Sequence, residues 1–96
     1  MKEKEIKKIK KIKRYIKSNK EQIIKDYLNN GGLNTYFEIV NGNVQHDCCT
    51  QRFIKNCVVI PAPTEVEKEL LIDNYSTEQI IENIIHIIEQ LEQEYI

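Results

Sequence analysis

Ten Lys and one Arg stand among the first 25 residues against three acids, a net +8, while residues 61–96 carry one Lys against nine Asp and Glu, a net −8. The total of −1 hides this separation. Either end alone repels itself. Lys4/Lys8, Lys7/Lys11, Lys10/Arg14 and Lys13/Lys17 are like charges four residues apart, each costing a helix roughly 0.2–0.5 kcal/mol, and only Glu3/Lys7 and Glu21/Lys25 offset them. Each end also works against its own helix dipole, with cations at the start of the chain and Glu89, Glu92 and Glu94 near its end. Set antiparallel, both misfits become complementary. The sequence thus predicts that the first and last helices pack antiparallel, in one chain or across two, with Lys and Glu partners along their flanks.

Periodicity supports helices at both ends. Ile6, Ile9, Ile12, Ile16, Ile23, Tyr27 and Leu28 recur at steps of three and four and fall largely on one stripe. Ser18 and Glu21 have capping-box spacing, so the segment is two helices, about 3–17 and 19–29, or one helix with a weak joint. Asn29-Asn30-Gly31-Gly32 then ends it. In the last third, Thr64 with Glu67 opens a short helix to about Ile72, and Ser76 with Gln79 opens the final one. Ile80, Ile81, Ile84, Ile85, Ile87, Ile88, Leu91 and Tyr95 give that helix an apolar face too wide for one partner element. A second covering surface is therefore expected, with a homo-oligomer formed through Ile80, Ile81, Ile84, Ile85 and Ile88.

Between the helical ends the period changes to two. Asn41-Gly42 separates LNTYFEIV from NVQHDCC, a strong hairpin signal. A two-residue turn there pairs Val40 with Asn43, Ile39 with Val44, Phe37 with His46 and Thr35 with Cys48. Ile39, Val44, Phe37, His46, Thr35 and Cys48 then share one mostly apolar face, opposite Tyr36, Glu38, Gln45 and Asp47. Cys57-Val58-Val59-Ile60, stopped by Pro61-Ala62-Pro63, reads as a third, buried strand. The fold class is α+β, in the order helix (one or two), hairpin, strand, helix, helix. With 96 residues, 41% hydrophobic and 30% charged, a single domain over 1–96 is expected. No apolar run approaches the roughly 18 residues that cross a bilayer, and the basic start lacks a signal peptide's apolar segment. A cytoplasmic protein without membrane association is expected, with its three Cys reduced.

Candidate chemistry is sparse. His46, Cys48, Cys49 and Cys57 form H-x-C-C-x7-C, which is not a zinc spacing, so neither a metal nor a cofactor is expected. A Cys48 nucleophile served by His46 is sterically conceivable, but nothing in the sequence orients the imidazole or lowers a thiol pKa. No catalytic residues are assigned, and a cysteine-dependent enzyme ranks last among the readings. His86 falls on the polar side of the last helix.

LLIDNYSTEQIIENI is similar to the first helix, turn and second-helix start of helix-turn-helix domains. That resemblance would send residues 77–96 into a DNA groove, yet they hold five Glu and no Lys or Arg, and phosphates repel them. The opening stretch is the better interaction surface, and Lys7, Lys8, Lys10, Lys11, Lys13 and Arg14 are its candidate binding residues. It offers charge density but only Tyr15 for base stacking, and none of the Trp or Phe that anchor helices on membranes. Abundant Ile (17), Lys (12) and Asn (9) beside a single Ala suggest AT-rich coding, as in a low-GC bacterium or its phage. Size, coding bias and charge segregation resemble those of phage-encoded inhibitors such as anti-CRISPR proteins. The expected function is a small non-catalytic inhibitor or adaptor that docks on a protein or nucleoprotein. The alternative is a nucleic-acid-binding regulator that uses the basic helix.

Overall fold

In the computed structural model, which describes residues 2–93, the chain runs α1 (Lys2–Ser18), α2 (Lys20–Asn29), β1 (Asn34–Val40), β2 (Asn43–Cys49), β3 (Val58–Ile60), α3 (Glu65–Asn74) and α4 (Thr77–Gln93). It is the expected α+β order, with two N-terminal helices. The joint between them is not the expected capping box. Asn19 takes the N-cap position of α2, and its side-chain amide donates to the Tyr15 carbonyl at 2.8 Å, tying the joint back to the last turn of α1. Both downstream boxes form. The Glu67 N–H donates to Thr64 Oγ1 at 3.1 Å and the Thr64 N–H to Glu67 Oε1 at 3.0 Å, while Ser76 and Gln79 exchange the same bonds at 3.2 and 2.9 Å.

The three strands form one antiparallel sheet in the order β2-β1-β3. Asn41 and Gly42 turn the hairpin with φ of 52° and 81°, the pair of positive values that a tight right-twisted hairpin needs. That turn fixes the register, and Val40↔Asn43, Ile39↔Val44, Phe37↔His46 and Thr35↔Cys48 pair as the sequence predicts. Burial alternates along β1, with Thr35 and Phe37 covered by the helices.

The helices form a layer on that face. Ile9, Ile12 and Ile16 of α1, Ile23 and Tyr27 of α2, and Ile80, Ile81, Ile84, Ile85 and Ile88 of α4 join Phe37, Val58 and Ile60 in one core. The α4 isoleucines expected to seek another subunit are thus consumed inside the chain, because α1, α2 and β3 all pack against α4 and together cover its wide apolar face. Self-association through these five residues loses its basis: none is more than 5% exposed.

The first and last helices are antiparallel within one chain. Lys13 in α1 pairs with Glu89 of α4 at 3.5 Å, and Lys20, the first residue of α2 just past the end of α1, pairs with Glu78, nearer the start of α4, at 2.8 Å, so the chain runs opposite to α4 up to the α1–α2 joint. The other acids assigned to this role, the Glu92 side chain and Glu94, fall outside the described residues, as does Tyr95. Exposed pairs of this kind give only about 0–1 kcal/mol each, whereas a fully buried Ile contributes about 1.5–3 kcal/mol, so packing holds α1 to α4 and charge selects the direction. Ile84→Ala, at a fully buried position, is expected to lower unfolding free energy by about 2–5 kcal/mol in urea titrations, against less than about 0.5 kcal/mol for exposed Glu82→Ala.

Candidate nucleic-acid interface

Burying Ile9, Ile12 and Ile16 leaves α1 no choice about its other side. Lys7, Lys10, Arg14 and Lys17 follow one another at steps of three and four, the spacing that keeps side chains on one stripe, and all four are exposed. Lys4 and Lys11 flank them and are also exposed. From Lys4 to Lys17 the ridge runs about 20 Å, at 1.5 Å of rise per residue. Lys4, Lys7, Lys10, Arg14 and Lys17 have no carboxylate partner among the described residues. Glu3, four residues before Lys7, sits at the N-terminal end of the stripe, where the helix dipole favours an acid.

The six cations assigned from sequence therefore divide. Lys7, Lys10 and Arg14 face solvent along the ridge. Lys13 is held by Glu89. Lys8 donates to the Asn56 carbonyl in the loop between β2 and β3. Lys11 leans on the Gly42 carbonyl of the hairpin turn, at a weak 3.5 Å, and keeps its exposure. Lys4 and Lys17, outside those six, belong to the ridge by the same period. Lys8 ties the β2–β3 loop to α1 at Asn56, and Arg52, Phe53 and Lys55, all exposed in that loop, carry no periodic signal.

Behind the ridge, a clamp ties α1 to α2 and β2. His46 Nδ1 lies 2.6 Å from Tyr15 Oη, and its Nε2 lies 2.6 Å from Asp26 Oδ2. The Nε2–H donates to Asp26; with a neutral ring the Tyr15 hydroxyl donates to Nδ1, and with a protonated ring the Nδ1–H donates to the Tyr15 oxygen. Tyr15 and His46 also pack on Phe37, with ring centroids 6.4 and 6.0 Å from it. Gln22 donates to both Asp26 oxygens at 3.1 Å. Desolvation pushes the Asp26 carboxyl up, but hydrogen bonds from Gln22 and His46, with the His46 and Lys25 charges, outweigh it and hold the group below its ordinary value. Burial first, and then the Asp26 charge, push the Tyr15 phenol up, so it stays neutral. The sequence offered nothing to orient the imidazole; the structure supplies Asp26, 20 residues away along the chain, and Tyr15, 31 away.

That arrangement also bears on the thiols. Both nitrogens of His46 are engaged, which leaves none to take a proton from Cys48. Cys48 is exposed, while Cys49 and Cys57 are half-buried beside Tyr36, Glu38 and Ile54 in a shallow hollow of about 490 Å³ on the opposite face of the sheet. Burial, followed by the nearby Glu38 charge, pushes the Cys57 thiol up, away from the reactive thiolate. Among the described residues no group of three or more His, Cys, Asp or Glu is placed to hold a metal ion. No helix among them is long and apolar enough to cross a membrane. His86 is exposed on α4, 3.4 Å from the Gln90 amide. No family model matches the chain, and no curated protein or solved structure is significantly similar to it.

The clamp makes a pH-dependent contribution of definite sign. Because the Asp26 carboxyl is held below its ordinary 3.8, its contribution to stability is present above that value and is lost as pH falls through the lower, folded-state value. Urea midpoints of the wild type should exceed those of Asp26→Asn at pH near 5, and the gap should close as pH is lowered to about 2.5. Parallel curves across this range would remove the charge of Asp26 from the clamp.

Proposed function

We propose that this chain is a non-catalytic binding protein that docks through the α1 ridge on a nucleic-acid backbone, free or held in a nucleoprotein, and acts there as a regulator or inhibitor. One observation carries the reading. Five cations, Lys4, Lys7, Lys10, Arg14 and Lys17, project from one stripe without acidic partners among the described residues, although the same chain carries a surplus of carboxylates on α3 and α4. A fold that needed these charges only for its own cohesion would have brought acids to them, as it does for Lys13 and Lys20. Phosphates spaced about 3.4 Å along one strand would place about six charges beside a ridge of about 20 Å.

The remaining surface fits the same role. The cations of α1 and the acids of α3 and α4 stand on separate elements, and a polyanion attracts the first and repels the others during approach. Lys outnumbers Arg on the ridge five to one if Lys11 is included with Lys4, Lys7, Lys10 and Lys17. This composition suits a backbone reader, since Arg is the residue that takes guanine edges in pairs of hydrogen bonds.

Sequence-independent binding with a steep salt dependence is the expected behaviour. With about five phosphates neutralised, a plot of log affinity against log salt should fall with a slope of about −3.5 on a single strand, and Lys7→Gln, Lys10→Gln and Arg14→Gln should each make it shallower by about 0.7. Lys20→Gln, which removes an internal partner of Glu78, should leave the slope nearly unchanged. Thermal unfolding should be almost insensitive to the three ridge changes. Retention of wild-type affinity by the triple ridge variant would exclude the ridge as the binding surface.

A further inference from the structure

Phe53 is 79% exposed, the highest exposure among the large apolar side chains of the described residues. It lies between Arg52 and Lys55 in the segment that joins β2 to β3, and both cations are exposed as well. The segment is not left to drift. The Cys57 N–H donates to the Ile54 carbonyl at 3.0 Å and closes a turn in which Asn56 takes a φ of 66°. Lys8 reaches from α1 to the Asn56 carbonyl, while the Cys57 thiol meets Glu38 of β1 at 3.9 Å. The turn directly after Phe53 is thus fastened to α1 on one side and to the sheet on the other. Lys4, Lys7 and Lys11, one helical turn or a single residue from Lys8, bring the basic ridge up to the same place.

From this juxtaposition we propose that the ligand is single-stranded nucleic acid, and that Phe53 is the platform on which one of its bases stacks while Arg52, Lys55 and the near end of the ridge hold the flanking phosphates. The proposal rests on the backbone-binding role of the ridge. A phenyl ring has no donor or acceptor for a phosphate, and in a duplex the base faces are already covered by their neighbours. In a single strand those faces are free, and an aromatic side chain set among cations is the arrangement that takes them without regard to sequence. Phe53 supplies the stacking surface that α1 lacks, since Tyr15 is bound into the His46 clamp.

The test uses the full chain, a fluorescein-labelled 20-nucleotide oligo-dT and a 20-base-pair duplex of mixed sequence. The wild type should hold the single strand more tightly than the duplex. Phe53→Ala should weaken single-strand binding by about 10-fold, as loss of one stacked base does, and change duplex binding by less than about twofold. Phe53→Trp should keep single-strand affinity, and because the chain contains no other Trp its indole fluorescence reports contact directly, falling on saturation with oligo-dT. Circular dichroism should show both variants folded, as Phe53 takes no part in the core. Wild-type single-strand affinity in Phe53→Ala, or indole emission unmoved by saturating oligo-dT, overturns the stacking role alone. If the wild type holds neither probe at low salt, the ridge reading falls with it.

Discussion

The antiparallel contact of α1 with α4 is the constraint on which the rest of the structure depends. Alone, α1 is a poor helix. Its cations repel one another along successive turns, and its stripe is built of Ile, whose branched side chain gives up freedom in a helix. Burial against α4, α2 and the sheet makes it stable, and the same burial decides which way every lysine faces. Ile9, Ile12 and Ile16 go inward, so Lys7, Lys10, Arg14 and Lys17 go outward. The basic ridge is the necessary back of the packing surface.

Within that geometry the cations serve two ends. Those at the borders of the stripe are drawn into the fold: Lys13 and Lys20 meet Glu89 and Glu78, and Lys8 secures the loop that carries Phe53. Those on the crest meet nothing among the described residues and are available to a partner. The clamp formed by Tyr15, His46 and Asp26 joins α1 to α2 through Asp26 and to β2 through His46. It fixes the helix in rotation as well as in position, which keeps the ridge aimed outward.

Much of this was legible in the sequence, because the signals were local. The Asn41-Gly42 turn determines the hairpin register by counting outward, and the boxes at Thr64/Glu67 and Ser76/Gln79 mark true helix starts. Charge segregation indicated the antiparallel pairing of α1 and α4, since each helix lacks its complement nearby in the chain. Ser18/Glu21 misled because a neighbouring Asn19 could bond back to Tyr15, and a spacing rule does not see that competition. The Ile face of α4 misled for another reason. How many surfaces cover it depends on α2 and β3 arriving together, which no periodicity in α4 reports. The same holds for the site: the ridge can be read from steps of three and four, whereas Asp26 beside His46 and the tie of the Phe53 loop to Lys8 are products of tertiary closure.

We propose that this protein meets nucleic acid with the crest of α1 and the loop tied to it, and with no other face. Backbone amide resonances of the ¹⁵N-labelled chain, followed during titration with unlabelled oligo-dT at low salt, test it residue by residue. Progressive shifts are expected in α1 around Lys7, Lys10 and Arg14 and in the Arg52–Lys55 segment alone, with α3 and the outer side of α4 around Glu82 and His86 unmoved. Shifts centred on α3 or α4, or a spectrum that saturating oligo-dT leaves unchanged, would contradict it.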